Sequence, residues 1–144
     1  MGVINLDQIT VTPLNRISVV GGDVLHAIKM SDNGFRNFGE AYFSSVDYGA
    51  IKAWKMHTKM TLNLVVPIGN IQFVFISSDY TQRKEFVIGE TNYVRLTVPP
   101  GIWFGFKGVS ISQNLLLNIA DIIHDPEEVI KISIDEFKKP FNLK

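Results

Sequence analysis

The chain has 144 residues, 46% of them hydrophobic and rich in Phe, Val and Ile, enough apolar material for one well-buried domain spanning 1–144. Fourteen basic and fourteen acidic residues cancel, so no global field favours nucleic acid or an anionic membrane, and a charged ligand needs a local cluster. The absence of cysteine excludes disulfide frameworks, thiolate metal sites and cysteine nucleophiles, and suits a reducing compartment, with the cytoplasm as the expected location.

The chain opens without a basic, cleavable apolar leader, and no apolar run approaches the roughly 20 residues that span a bilayer; a soluble protein without a membrane partner is expected. Residues 2–20 offer unpaired strand and apolar area suited to a subunit contact. Residues 31–37 are polar and read as a mobile loop. Segments 40–46 and 49–57 read as strands. Beyond them the dominant period is two: Leu62, Leu64 and Val66 alternate with Thr61, Asn63 and Val65, and Ile71, Phe73 and Phe75 with Gln72, Val74 and Ile76. Pro67-Ile68-Gly69-Asn70 separates these two strands as a tight turn. Residues 77–84 read as a second mobile loop. After the Gly89-Glu90-Thr91-Asn92 break, Val94, Leu96 and Val98 alternate with Tyr93, Arg95 and Thr97; Pro99-Pro100-Gly101 breaks the chain again, and 113–120 forms another strand. Asp125-Pro126-Glu127-Glu128 is the best helix start, with an acidic cap, Pro in the first turn and negative charge at the positive dipole end. About eight short strands with regular turn signals predict an all-β sandwich or barrel with little helix.

Chemistry concentrates in Ile51-Lys52-Ala53-Trp54-Lys55-Met56-His57-Thr58-Lys59. Residues two apart in a strand share a face, so Lys55 and His57 point one way and Lys52 the other. Histidine is the side chain best suited to proton transfer near neutral pH. A lysine can act as a base only where burial lowers its pKa from its usual value near ~10; otherwise it serves as a cation beside an enolate or a diphosphate. Trp54, Trp103, Phe104 and Phe106 suit either stacking on a base or sugar, or core and interface packing. Tyr93 and Arg95 suit either a polar cavity wall or the outer sheet face. His26 and His124 have no matching partner and are given no chemistry.

The Lys52–Lys59 segment with the following Gly69 resembles the Arg-Gly-aromatic-His-x-His-Lys-Lys … Gly pattern of dTDP-sugar 3,4-ketoisomerases, with His57 at the second His. It is also similar to the Arg-Gly-Leu-His-Phe-Gln of dTDP-4-dehydrorhamnose 3,5-epimerases. Asn92-x-x-x-Leu96-x-Val98-Pro99-x-Gly101-x-x-x-Gly105-Phe106 resembles that family's Asn-x-x-x-Leu-x-Ile-Pro-x-Gly-Phe-x-His-Gly-Phe. The resemblance covers roughly residues 40 to 126 and implies a cupin jelly roll, the double-stranded β-helix. It further implies a homodimer that exchanges or extends N-terminal strands, and a nucleotide-sugar substrate, dTDP-linked, in deoxysugar synthesis for surface polysaccharide.

Three family positions are altered: the general base falls on Lys55, the catalytic Tyr on Leu117, and the His before Gly-Phe on Phe104. The resemblance then implies enolisation beside a 4-keto group, with His57 as base, Lys55 steadying the enolate and the opposing acid unidentified. Lys52, Arg95, Tyr93 and Trp103 are the candidate substrate-binding residues. A single imidazole does not hold a divalent ion, so neither a metal nor a cofactor is expected. The competing reading is a cupin that binds a sugar nucleotide or carbohydrate without turnover.

Overall fold

Period-two alternation becomes twelve strands, and the computed structural model describes residues 2–137; Met1 and residues 138–144 of the expected single domain lie outside the described residues. In chain order they are β1 (Thr10–Pro13), β2 (Arg16–Ile17), β3 (Val24–Leu25), β4 (Glu40–Ser45), β5 (Ile51–His57), β6 (Leu62–Ile68), β7 (Asn70–Ser77), β8 (Arg83–Gly89), β9 (Val94–Val98), β10 (Ile102–Gly108), β11 (Leu115–Ala120) and β12 (Val129–Lys131). Two five-stranded antiparallel sheets, ordered β1-β9-β6-β11-β4 and β12-β5-β10-β7-β8, form the expected jelly roll, and β2-β3 is a separate two-stranded ribbon. Helix among the described residues is limited to three short 3-10 segments, and no helix is long and apolar enough to cross a membrane. The helix start at Asp125 yields one of them, Pro126–Glu128, capped by the Asp125 carboxylate accepting from the Glu127 amide at 3.0 Å.

The inward positions interlock between the sheets. Leu62, Leu64, Val66, Leu96, Val98 and Leu116 from one sheet meet Ile71, Phe73, Phe75, Ile88, Ile102 and Phe104 from the other, all buried. Central strand β7 is covered on both faces, which explains its nearly continuous apolar run. Its outer residues Val74 and Ile76 form a second cluster with Trp54 and Trp103, roofed by Ile132 and Phe137. Strand β8 starts inside the expected 77–84 loop. It is an edge strand with Arg83 and Glu85 facing solvent, so its charged face conceals the alternation that buries Ile88.

Two of the glycines at which a side chain would not fit, Gly69 and Gly105, shape the strands around the site. Gly69 has φ +76° between β6 and β7, and a Cβ there would lie 2.0 Å from the Gln113 carbonyl oxygen. At Gly105 a Cβ would meet the Ala53 Cβ at 2.6 Å and the Trp54 ring at 3.0 Å. That close approach accommodates a bulge: Phe104 pairs with Lys55 but Gly105 pairs with Ala53, leaving Trp54 as the extra residue on β5, with the Ala53–Trp54 peptide cis. The bulge changes the parity of the strand. Phe106 opposes Lys52 and Phe104 opposes Lys55, and both phenylalanines face inward. Lys52 therefore shares a face with Lys55 and His57, contrary to the alternation read from the sequence.

After the 3-10 turn the chain crosses back over β5. Strand β12 pairs Val129 with His57, Ile130 with Met56 and Lys131 with Lys55. Beyond it, Trp54 and Ile132 exchange backbone hydrogen bonds at 3.3 and 3.2 Å, and the Trp54 indole donates to the Ile134 carbonyl at 3.3 Å. Phe137 packs edge-on against Trp54 with centroids 4.9 Å apart. This strap closes the second apolar cluster and carries two further charged residues, Glu128 and Lys131, to the inner side of β5.

Candidate active site

A cavity of about 420 Å³ opens between the sheets. Strand β5 lines it with Lys52, Lys55 and His57, and β10 with Phe104 and Phe106; β4 adds Tyr42 and Ser44, β11 adds Asn118, and the strap adds Lys131. Lys55 and His57 thus face one open space, and Phe104 forms its wall, stacked beside the His57 ring with centroids 5.9 Å apart.

His57 is buried and its Nδ1 meets the Glu128 carboxylate, which is 2% exposed. The second Glu128 oxygen accepts the amides of Lys59 at 3.1 Å and Met60 at 3.2 Å. Burial, the largest single influence on Glu128, raises its pKa. The hydrogen bond from His57, the Lys59 amide, the His57 charge and the Met60 amide together outweigh that, holding the carboxyl below its ordinary 4.5. An ionised carboxylate only accepts hydrogen bonds, so it requires a proton on Nδ1, and in the neutral imidazole that tautomer leaves the lone pair on Nε2. Thr58 fixes the turn by donating both its amide and its hydroxyl to the Glu128 carbonyl, each at 2.8 Å. Glu128 lies 71 positions from His57; the sequence marked it only as part of a helix start.

Three lysines surround the opening. Lys131 lies directly across from Lys55 in the β12–β5 pairing, and Lys52 donates to the Ser45 carbonyl at 3.1 Å. Among the described residues no carboxylate lines this cavity. Partial burial first, then the charges of Lys131 and Lys52, lower the Lys55 ammonium below its ordinary 10.5.

The opposite sheet supplies a phenol. Asn118 donates to the Tyr42 hydroxyl oxygen at 3.0 Å, which leaves the Tyr42 O–H free to donate. Burial first, then the Glu40 carboxylate, raise the Tyr42 pKa above 10.0 against the opposing effect of Asn118. The Asn118 Oδ1 is buried without a hydrogen-bond partner among the described residues. Strand β11 turns Leu116 and Asn118 toward the cavity, so Leu117, matched by sequence to a catalytic tyrosine, does not line it. Tyr42 was missed because its phenol comes from another strand, and only its strand assignment was legible.

Three sequence candidates lie elsewhere. Arg95 is fully buried on the outer face of its sheet, where it donates to Asn63 Oδ1 at 3.1 Å and to the Ala27 carbonyl at 2.9 Å, and pairs with Asp32 at 3.1 Å beneath the 26–34 loop. Tyr93, adjacent to that strand, donates its hydroxyl to the His26 carbonyl at 2.7 Å, and Arg16 lies over its ring. Trp103 points away from the cavity into the second apolar cluster. Apolar alternation gave the correct faces of these strands, but not which polar face a loop would cover. Among the described residues no group of three or more His, Cys, Asp or Glu side chains is placed to hold a metal ion.

No protein-family model matches the sequence. A crystal structure of a dTDP sugar isomerase from Desulfovibrio desulfuricans G20 superposes with a TM-score of 0.86 at 32% identity, covering 90% of this chain and 87% of that one. QdtA, a sugar 3,4-ketoisomerase from Thermoanaerobacterium thermosaccharolyticum solved in complex with TDP, gives a TM-score of 0.76 at 18% identity, covering 89% and 90%; at that identity the likeness concerns the fold. The spore coat polysaccharide biosynthesis protein SpsL of Bacillus subtilis (strain 168) is 23% identical over 128 residues, 85% of each chain.

Proposed function

The chain belongs to the dTDP-sugar isomerase family, and from that premise we propose that it isomerises or epimerises a 4-keto-6-deoxy sugar nucleotide by enolisation. One observation carries this reading: an imidazole held by a buried carboxylate and a free phenolic O–H enter one cavity from opposite sheets. In the proposed mechanism His57 Nε2 removes the proton beside the ketone, and Lys55 activates the carbonyl. Tyr42 returns a proton from the other face. Lys52 and Lys131 hold the substrate's diphosphate, a role that fits unopposed ammonium groups around a cavity without carboxylates. Phe104 and Phe106 offer apolar wall to the sugar. In this reading the protein works in the cytoplasm in surface polysaccharide synthesis, in keeping with its resemblance to the spore coat protein.

The cavity presents one base and one acid, which fits chemistry at a single carbon. Incubated with dTDP-4-keto-6-deoxyglucose in D₂O, the protein should incorporate deuterium at C3 and not at C5 by NMR. Exchange at both carbons would rule out single-centre chemistry, and binding with exchange at neither would make the protein a non-catalytic binder. The Tyr42→Phe variant should keep exchange at C3 but lose inversion or ketone transfer by roughly 10²-fold, because His57 would still remove and return a proton on its own face. Retention of full product formation in that variant would remove Tyr42 from the mechanism.

We infer that the protein is a homodimer. Strand β1 already pairs with β9 of its own chain, so the surface open to a second copy is the β2-β3 ribbon, with Ile17, Val19, Val20, Val24 and Leu25 exposed, and the edge strand β4, with Phe43 exposed. Sedimentation at micromolar concentration should give twice the chain mass. A monomer there would count against the assignment.

A further inference from the structure

We propose that Lys55 acts as a nucleophile, forming an iminium with the substrate's ketone while His57 removes the neighbouring carbon-bound proton; this rests on the keto-sugar reading of the cavity. Lys55 is distinguished from the other two lysines by its surroundings. It lies two residues from His57 on the same face of β5 and makes no hydrogen bond or ion pair with any described residue. Lys52 is tied to the Ser45 carbonyl, and Lys131 stands on the edge strand β12. A lysine needs a neutral amine to attack a carbonyl, and before substrate binds, two neighbouring cations with no carboxylate among the described lining residues favour that form. Partial burial first, and then the same flanking, lower the Lys55 pKa. With Lys52 and Lys131 on the diphosphate, Lys55 remains for the carbonyl carbon.

The sequence of steps balances. The Lys55 amine adds to the ketone carbon, and the oxygen leaves as water with one proton from the amine and one from solvent, forming a cationic C=N bond. His57 Nε2 takes the proton on the adjacent carbon; the C–H electron pair becomes the C=C bond of an enamine and the C=N pair returns to nitrogen. Tyr42 O–H delivers a proton to the opposite face, regenerating the iminium. Water then adds, the C–N bond breaks and the amine is released, while His57 and Tyr42 exchange one proton through solvent. No oxidant or reductant is consumed. An iminium withdraws electrons from the adjacent C–H bond more strongly than a ketone with a nearby cation, which gives this arrangement its catalytic advantage.

Reductive trapping tests the proposal. Wild-type protein turning over dTDP-4-keto-6-deoxyglucose in the presence of cyanoborohydride should gain one covalent sugar nucleotide by intact mass, mapped by peptide sequencing to Lys55. The Lys55→Arg variant, which keeps the charge without a nucleophilic amine, should show no adduct and at least about a 100-fold loss of turnover. Turnover without trapping, trapping at Lys52 or Lys131, or Lys55→Arg activity within about fivefold of wild type would overturn covalent catalysis and leave the keto-sugar reading standing. A wild-type protein that neither exchanges protons nor forms an adduct would overturn both.

Discussion

Replacing His57 with Asn should lower turnover by about 10³-fold while leaving affinity for the substrate nucleotide within about threefold. Nδ1 is committed to Glu128 and the ring lines the space shared with Lys55 and Tyr42, so the neutral imidazole offers Nε2 as the base. Asn preserves bulk and a polar contact to Glu128, so the fold should persist, but it cannot take a proton from carbon. Kinetics in D₂O give the rate, and titration calorimetry with dTDP gives the affinity. Deuterium uptake at C3 should disappear in proportion to turnover. Equal losses of affinity and rate would instead point to a binding role for His57, and an unchanged rate would remove it from the mechanism.

Changes at Glu128 should separate its two roles. Glu128→Ala removes the acceptor for His57 and for the Lys59 and Met60 amides, leaving buried donors without partners, and should cost about 2–4 kcal/mol of stability. Glu128→Gln keeps the shape. Its amide oxygen can accept the two backbone N–H groups, but its NH₂ then faces His57 and forces the imidazole proton onto Nε2, the wrong tautomer for a base. Turnover should therefore fall by about 10³-fold with little loss of melting temperature. Full activity in Glu128→Gln would show that the tautomer does not matter, and wild-type stability in Glu128→Ala would show that the carboxylate is not a structural anchor.

The same carboxylate sets an acid limit. Its folded pKa lies below the ordinary 4.5, so the folded state stabilises the ionised form. That contribution is complete above 4.5 and is lost as pH falls from there through the folded value. The melting-temperature difference between wild type and Glu128→Gln should be constant near neutrality and shrink in acid. A difference independent of pH would mean that the charge contributes nothing to folding.

Much of the barrel was legible because two-residue alternation is a local property. Leu62-Leu64-Val66 and Ile71-Phe73-Phe75 each bury one side whatever lies across from them, and the turn at Gly69 follows from a backbone conformation that needs glycine. The shared face of Lys55 and His57 was legible for the same reason. Lys52 was placed on the wrong face because alternation assumes an unbroken ladder, and the bulge at Trp54 arises from the fit of Gly105 on the neighbouring strand. The sequence left Arg95 and Tyr93 open between cavity wall and outer face, and the structure puts them, like Trp103, away from the cavity, because strand parity distinguishes two faces without saying which of them a loop or strap will cover.

By itself the sequence determined the short alternating strands of an all-β sandwich or barrel, the β5 segment as the place to look, and the pairing of one lysine with one histidine there, since each depends on residues close together along the chain. Only the tertiary structure decided the rest of the site. Glu128 reaches His57 across 71 positions, Lys131 meets Lys55 through strand pairing, and Tyr42 arrives from the other sheet. No local pattern encodes those meetings, because they depend on where the strap crosses β5 and how the two sheets face each other. The hold of Glu128 on His57 and the placement of Lys131 beside Lys55, which set these two residues apart from ordinary strand residues, come from those long-range contacts.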